Sequence, residues 1–346
     1  LSIVTLGIYT AWAKVRRLRY FYGNTWLDGH NFEYHAKPIQ ILIGRIIVVV
    51  VLVIFNVLAE VAPFIALALL IPYFLAFPWL INKAIAFNAR MTSYRNVRFS
   101  FDGSYGRAFY VFVLMPLLPV IFIAVLSAAL FYSGVITDFI TSLNTIIGLG
   151  VLYLVLQILF IPYISKLSSA YIGSGTSFGN AKFTTDPSFG AMFGNFLTTI
   201  VPIVVILAIM GFGIFQSIDT SVQSDNPLAA VGVILFYILF IAAYLAYSAG
   251  VRNISFNATE LQGGHSLDSN VPRFGYAWVI LTNLIVTVLS IGLMSAWAAV
   301  RTWRYLTNHT SMNVSGDLES FISQQNPEGN VAAAEYLDIE GIDLGL

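Results

Sequence analysis

Two clusters, each of one tryptophan and two arginines, are the residues in this sequence best suited to bind an anion. They are Trp12, Arg16 and Arg19 near the start of the chain, and Trp297, Arg301 and Arg304 near its end. Spacings of three and four residues put each cluster on one face of a helix. Such clusters bind lipid headgroups or small anions, but at a helix end they also serve as interfacial anchors. Both interpretations stay open, and the clusters could form one site if the chain ends pack together.

Arg45 is a third candidate for anion binding. It follows Pro38 within an apolar run, and at 1.5 Å per residue it would lie about 10 Å into a helix. Charges at that depth are costly and often functional. An arginine there can also extend back to the headgroups, which would leave it without a binding role.

The sequence has no spacing of histidine, cysteine or glycine that is typical of a metal site or a nucleotide-binding loop. The four histidines do not follow HExxH or another tight ligand spacing, and the chain has no cysteine. The glycine-rich stretch 173–179 lacks both the GxGxxG spacing and the Walker lysine. We therefore predict no catalytic residue, no metal, no cofactor and no enzyme activity.

The helices that must position the two clusters share a sequence motif. AWAKVRRLRY at residues 11–20 recurs as AWAAVRTWRY at residues 296–305. The correspondence continues upstream, where Thr5 and Gly7 match Ser290 and Gly292. Each copy therefore closes an apolar segment with the same basic, aromatic helix end.

The composition is that of a membrane protein, with 58% apolar and 10% charged residues, against about 25% charged residues in soluble domains. A spanning helix needs about 20 apolar residues. Six internal runs meet this length: 39–58, 64–87, 108–132, 145–164, 190–215 and 228–247. The end segments 1–13 and 276–299 add a seventh and an eighth. We favour one spanning helix over 276–299; the alternative is a break near Ser290-Ile291-Gly292 and re-entry from the same side.

The connections between these runs fall into two kinds. Those near Glu60, at 133–144 and at 216–227 contain no Lys or Arg, so the positive-inside rule places the other, longer connections in the cytoplasm. The long connections alternate polar with apolar residues around glycine turns, and NVRFSFDGSYG at 96–106 recurs as NAKFTTDPSFG at 180–190. We predict short β-like hairpins there and the duplication of a helix–loop–helix unit.

The chain divides into a transmembrane domain, residues 1–305, and an acidic tail, residues 306–346. The tail has seven carboxylates from Asp317 onward and no Lys or Arg. We expect it to be largely mobile, with one short helix over 331–337. Because the first copy of the motif has a shorter apolar part than the second, we interpret the chain as an N-terminally truncated fragment.

The paired AWAxVRxxRY segments, YRNVRFSFDGS at 94–104 and the closing residues 338–346 resemble the YjgN-type family of bacterial inner-membrane proteins. The resemblance covers essentially the whole chain, except that the family's leading segment is missing. It implies a polytopic inner-membrane protein of uncharacterised activity, and it supplies no catalytic or binding residue.

These patterns together predict an all-α integral membrane protein, a polytopic bundle of about seven to eight transmembrane segments with internal repeats and short cytoplasmic β-like loops. Its partners would be the lipid bilayer and an anionic lipid or small anion; nothing indicates nucleic acid, and protein partners stay unknown. One predicted function is a transporter, channel or lipid-handling protein that binds its anion through Arg45 and the twin clusters. The alternative is a structural or regulatory scaffold that binds proteins through its loops and tail.

Overall fold

The computed structural model describes residue 5 and residues 7–137, 142–217 and 227–325, which form long helices attached to one curled sheet. The helices are α1 (Thr10–Gly23), α2 (Pro38–Val61), α3 (Pro63–Arg90), α4 (Tyr105–Phe109), α5 (Met115–Tyr132), α6 (Leu143–Gly175), α7 (Phe189–Ser217), α8 (Pro227–Asn257), α9 (Arg273–Leu289), α10 (Ser295–Asn308) and α11 (Leu318–Gln324). A π-helical turn, Tyr110–Leu114, joins α4 to α5. The strands are β1 (Trp26–Leu27), β2 (His30–Tyr34), β3 (Thr92–Tyr94), β4 (Val97–Phe101), β5 (Thr176–Phe178), β6 (Ala181–Thr185), β7 (Thr259–Leu261), β8 (His265–Ser269) and β9 (Thr310–Asn313).

Six helical segments in the described part of the chain are long and apolar enough to cross a membrane. They are α2, α3, the continuous segment Tyr105–Tyr132, α6 and the apolar parts of α7 and α8. Hydrocarbon offers the backbone no hydrogen-bond partner, so a spanning segment must satisfy its own groups as a helix. The six predicted internal runs are therefore confirmed as helices, while a count of seven or eight stays a prediction.

The nine strands form one antiparallel sheet in sequence order. Each hairpin lies between two helices, and its turn contains a residue with positive φ, such as Gly29, Asn96, Gly179 or Gly263. Neighbouring hairpins pair with each other, as β2 does with β3 and β4 with β5. The predicted hairpins are present. The all-α class needs correction, because the hairpins join into a single sheet beside the helices.

The two ends of the sheet are brought together by aromatic contacts between α1 and α10. The rings of Phe21 and Trp303 stack with centroids 4.9 Å apart. The indole Nε1 of Trp303 also donates to Thr25 Oγ1 at 2.9 Å. Because Thr25 immediately precedes β1 and Trp303 lies on the helix before β9, these contacts curl the sheet.

The segment 276–299 is not one helix, so the favoured prediction of a single spanning helix is wrong. α9 ends at Leu289 and α10 begins at Ser295. The break lies where the alternative prediction put it, at Ile291 and Gly292, which have φ values of 51° and 85°. α9 and α10 then pack on each other, with Asn283 Nδ2 donating to the Ala298 carbonyl at 3.1 Å.

Residues 306–325, which the sequence assigns to the tail, are part of the folded structure. They form the end of α10, strand β9 and helix α11. The Asp317 side chain caps α11 by accepting from the N–H groups of Glu319 and Ser320. The predicted helix over 331–337 lies outside the described residues.

Candidate functional site: an apolar cavity inside the curled sheet

The inner face of the sheet has a row of eight apolar side chains in four cross-strand pairs. The pairs are Phe32 with Tyr94, Phe99 with Phe178, Phe183 with Leu261, and Leu267 with Met312. Side chains alternate between the two faces of a strand, so Arg98 and Lys182 beside this row point to the outer face, where both are exposed. We call these eight residues the inner row.

Five aromatic rings of the inner row form a continuous belt. Ring centroids are 4.8 Å apart for Phe32 and Tyr94, and 6.4 Å for Tyr94 and Phe178. They are 5.0 Å apart for Phe99 and Phe178, and 6.4 Å for Phe99 and Phe183. The first three pairs are tilted and the Phe99–Phe183 pair is stacked, and both arrangements are favourable at these separations. The belt therefore gives the sheet a fixed, apolar inner wall.

The inner row surrounds a cavity of about 660 Å³. On the side of the long helices the wall continues through Arg252 and Phe256 of α8 and Trp303 of α10. A space of this size is within the range of about 300–1,000 Å³ that is typical of ligand sites.

Helix α11 closes the cavity at the end where the hairpin turns lie. Leu318 and Ile322 are buried against the inner row, and Phe321 packs beside them. The Arg95 guanidinium is 3.4 Å from the Glu319 carboxylate, and Gln325 lies against Gly179. α11 thus contacts the turns of two hairpins and covers the apolar interior.

His265 connects the sheet to the segment before α11. Its side chain is buried, with the ring centroid 4.5 Å from that of Phe321. Nδ1 accepts from the Ser315 N–H at 3.1 Å, and Nε2 has no hydrogen-bond partner among the described residues. Burial lowers the pKa of His265. The neutral imidazole is therefore favoured, as its acceptor role at Nδ1 requires.

Arg252 is the cation on the cavity wall. Its Nη1 donates to Ser269 Oγ at 2.5 Å and its Nη2 to Thr310 Oγ1 at 2.9 Å. The guanidinium also lies over the ring of Phe256, 4.1 Å from the centroid. All these partners are neutral, so the arrangement orients the positive charge without neutralising it.

The predicted residue Arg45 is placed away from this cavity. It lies half-buried where α1 meets α2 and donates to Thr10 Oγ1. Burial lowers the pKa of Lys14 on α1, and the nearby charges of Arg45 and Arg17 lower it further. Arg45 therefore belongs to a basic group with Lys14 and Arg17.

The first predicted cluster is spread along α1. Trp12 packs against the buried residues between α1 and α2. Arg16 donates to the Tyr9 hydroxyl at 3.2 Å, and Arg19 donates to the Ala36 carbonyl at 3.0 Å. The contacts of Trp12 and Arg19 hold α1 against the part of the chain from β2 to α2, whereas the hydrogen bond of Arg16 stays within the start of α1.

The second predicted cluster stays closer together on α10. The Arg301 guanidinium lies 5.3 Å from the ring centroid of Trp297 and donates to Asn283 Oδ1 at 2.9 Å. Arg304 is exposed. The ends of α1 and α10 do meet, through Phe21 and Trp303. None of the described contacts joins an arginine of one cluster to the other cluster.

The cavity and Arg252 are the features that the sequence analysis missed. The alternation in VRFSF and AKFTT indicated apolar hairpin faces, but not that four of these faces would surround one space. Arg252, five residues beyond the apolar run 228–247, carried no binding prediction. Among the described residues, no group of three or more His, Asp or Glu side chains could hold a metal ion.

Comparison with known proteins agrees with the predicted resemblance. A family model described as "Bacterial protein of unknown function (DUF898)" matches residues 1–339. The chain is 25% identical over 342 residues to "Inner membrane protein YjgN" of Salmonella typhimurium strain LT2, covering 92% of this chain and 84% of the relative. It is 23% identical over 347 residues to the protein of that name in Escherichia coli O157:H7, with the same coverage. No solved structure matches the chain.

Proposed function

This chain belongs to the DUF898 family and is an inner-membrane protein of unknown function, and we propose that it handles membrane lipids. The proposal is that one hydrocarbon chain of a lipid binds in the cavity inside the curled sheet. The observation that supports it is the inner row, eight apolar side chains around about 660 Å³ of space.

The size and chemistry of the cavity favour a single flexible chain. Curled sheets of about eight strands either fill their interior with side chains or hold one small ligand. Here the interior is lined by the inner row and still contains the cavity. An aromatic and aliphatic wall attracts hydrocarbon at about 25 cal/mol per Å² of buried apolar surface.

The position of the cavity next to the long helices supports exchange with the bilayer. α8, a candidate span, contributes Phe256 to the cavity wall. A lipid chain could therefore pass from the bilayer along an apolar surface without being exposed to water. The positive-inside rule puts the sheet on the cytoplasmic side, so the proposal assigns the ligand to the cytoplasmic leaflet.

The transport hypothesis based on Arg45 is less well supported than lipid binding. Arg45 does not line the cavity, and Thr10 accepts its hydrogen bond. In the scaffold hypothesis, the hairpins would bind the protein partners. Their apolar faces, however, point to the interior of the curled sheet and are not presented to a partner. Lipid binding by the inner row is accordingly the better supported function.

Photocrosslinking can test the proposal directly. The full chain in lipid nanodiscs is loaded with a photoactivatable palmitate analogue, and the labelled residues are mapped by mass spectrometry. We expect labels on Phe99, Phe183 and Leu267, and also on the exposed faces of spanning helices, for example at Val50. The label at Val50 is the internal control for reagent and illumination. Labelling of α2 with an unlabelled inner row would refute the proposal.

A pair of double variants adds a quantitative arm. Leu267→Trp with Met312→Trp enlarges one cross-strand pair of the inner row and reduces the space. We expect about a tenfold loss of inner-row labelling, which corresponds to a loss of about 1.4 kcal/mol in the free energy of lipid binding. Lys182→Trp with Thr184→Trp places the same side chains on the exposed outer face of β6 and should leave the labelling unchanged.

A further inference from the structure

We infer that Arg252 binds the headgroup of the lipid, so that the ligand is an amphiphile with one anionic group, a carboxylate or a phosphate. This inference rests on the proposed function, since it names the class of lipid that the cavity selects. It concerns a residue outside both predicted clusters.

The charge balance around Arg252 favours an anionic ligand. Within the described part of the chain, no carboxylate lies within ion-pair distance of its guanidinium. Other basic side chains do have such partners: Lys166 is 3.6 Å from Asp186, and Arg95 is 3.4 Å from Glu319. A half-buried charge without a counter-ion is costly, and an anionic ligand would reduce that cost.

Arg252 keeps hydrogen-bond donors for a ligand. A guanidinium has five N–H groups, and the bonds to Ser269 and Thr310 use two of them. The others can form the paired hydrogen bonds that arginine makes with carboxylates and phosphates. Arg252 can therefore bind an anion without giving up either hydroxyl.

Further hydrogen bonds fix the surroundings of Arg252. Ser269 Oγ donates to Asn253 Oδ1 at 2.7 Å, and the Ser269 N–H donates to Asn257 Oδ1 at 2.6 Å. Ser269 is thus held between two residues of the helix that carries Arg252. A side chain that is already oriented loses little entropy when the ligand binds, which raises the affinity.

The position of Arg252 sets the orientation of the ligand. Arg252 lies on the helix side of the cavity, and α11 closes the opposite end. A headgroup at Arg252 would direct the hydrocarbon chain past the inner row toward α11. Thr307 and Asn308 line the wall on the same side as Arg252 and make that end polar.

Competition for the photoactivatable palmitate analogue tests this inference. Palmitate, lysophosphatidate and uncharged hexadecanol are compared as competitors for inner-row labelling, at a pH where both acids are ionised. For the parent chain, we expect at least one of the two anions to compete about tenfold to a hundredfold better than hexadecanol, as charged hydrogen bonds of 1.5–3 kcal/mol would give. Comparing the two anions identifies the preferred headgroup.

Variants at Arg252 then assign the effect to this side chain. Arg252→Gln should weaken labelling by the palmitate analogue, which itself carries a carboxylate, and should abolish the preference for anionic competitors. Hexadecanol should still compete for the remaining labelling, which also shows that the cavity is intact. Arg252→Lys keeps the positive charge and should retain part of the preference for anions. It replaces Arg252→Gln in the comparison if the glutamine variant folds poorly. Arg273→Gln is the matched control, because Arg273 also donates to a threonine hydroxyl, Thr198 Oγ1 at 3.0 Å, but does not line the cavity.

The outcomes separate this inference from the proposed function. Equal competition by the anions and hexadecanol in the parent chain would overturn the role of Arg252 and leave lipid binding in place. An anion preference that survives in Arg252→Gln would overturn it too. Failure of all three compounds to compete would instead count against the cavity as a lipid site.

Discussion

The two copies of the AWAxVRxxRY motif adopt the same turn and helix but have different polar partners. Before α1, Thr5 Oγ1 accepts from the Tyr9 N–H at 3.1 Å, and Gly7 has a φ of 87°. Before α10, Ser290 Oγ accepts from the Met294 N–H at 3.0 Å, and Gly292 has a φ of 85°. The local sequence thus specifies the local structure in both copies.

The difference lies in the direction of the arginine hydrogen bonds. In the first copy, Arg45 of the neighbouring helix donates to Thr10 of α1. In the second, Arg301 of α10 donates to Thr282 and Asn283 of the neighbouring helix. The copies also differ in charge, because Lys14 and Arg17 correspond to Ala299 and Thr302.

This comparison separates two kinds of information in a repeated motif. The turn and the helix follow from residues within the motif, so they are the same in both copies. The partners of the arginines depend on the helix that packs against the motif, and α2 and α9 have different sequences. As a result the first copy is a basic surface, whereas the second is a hydrogen-bonded helix pair.

Removing Asn283 should produce the largest effect and break the second copy. Asn283 is buried, and its amide donates to Ala298 and Thr302 while accepting from Arg301. Asn283→Leu keeps the size but leaves Arg301 with one acceptor fewer. We expect a loss of about 1–3 kcal/mol in unfolding free energy. Thermal unfolding in one detergent provides the measurement.

The control for this variant comes from the helix beside the first copy. Asn56 on α2 is exposed, and its amide donates to the carbonyl of Leu52 on its own helix. Asn56→Leu should change the stability by no more than about 0.5 kcal/mol. Equal losses for both asparagines would show that the second copy is not held by this hydrogen-bond network.

Local patterns in the sequence predicted the helices and hairpins, because hydrophobic periodicity and turn residues act over a few positions. The pairing of Phe32 with Tyr94 joins residues far apart in the chain, and no local pattern encodes it. The cavity depends on several such pairings, so it could not be predicted. Arg45 stood out as a charge in an apolar run, but its partner Thr10 lies on another helix.

The turns provide the next test, in which the two copies should respond equally. Gly7 and Gly292 both have left-handed φ values, and a methyl group added at either position would meet only open space. Gly7→Ala and Gly292→Ala should each cost about 1–2 kcal/mol, because only the backbone conformation opposes the new Cβ. Gly148→Ala in α6 is the control, since that glycine is helical with equally open space. A loss in only one of the two copies would contradict their equivalence.

The smallest effect should come from Lys14→Ala, which makes the first copy resemble the second at this position. Burial and the charges of Arg45 and Arg17 lower the pKa of Lys14 below its ordinary value of 10.5. The unfolded chain then binds more protons than the folded chain between the lowered pKa and 10.5, so Lys14 makes stability rise with pH there. At neutral pH both states are protonated, and the folded chain bears the cost of the charge.

Lys14→Ala should therefore be slightly more stable than the parent at neutral pH and should lose the alkaline rise. The tyrosines act in the opposite direction: burial, with a contribution from Tyr22, raises the pKa of Tyr34 to about 12, which lowers stability above the ordinary tyrosine pKa of 10.0. The difference in stability between parent and variant at each pH removes this shared contribution.

Ala299→Lys is the reciprocal variant in the second copy. It should make stability rise less at alkaline pH than Lys14 does in the first copy, because α9 offers Asn283 and Thr282 in place of Arg45. Parallel pH profiles for the parent and Lys14→Ala would show that the basic group does not set the two copies apart.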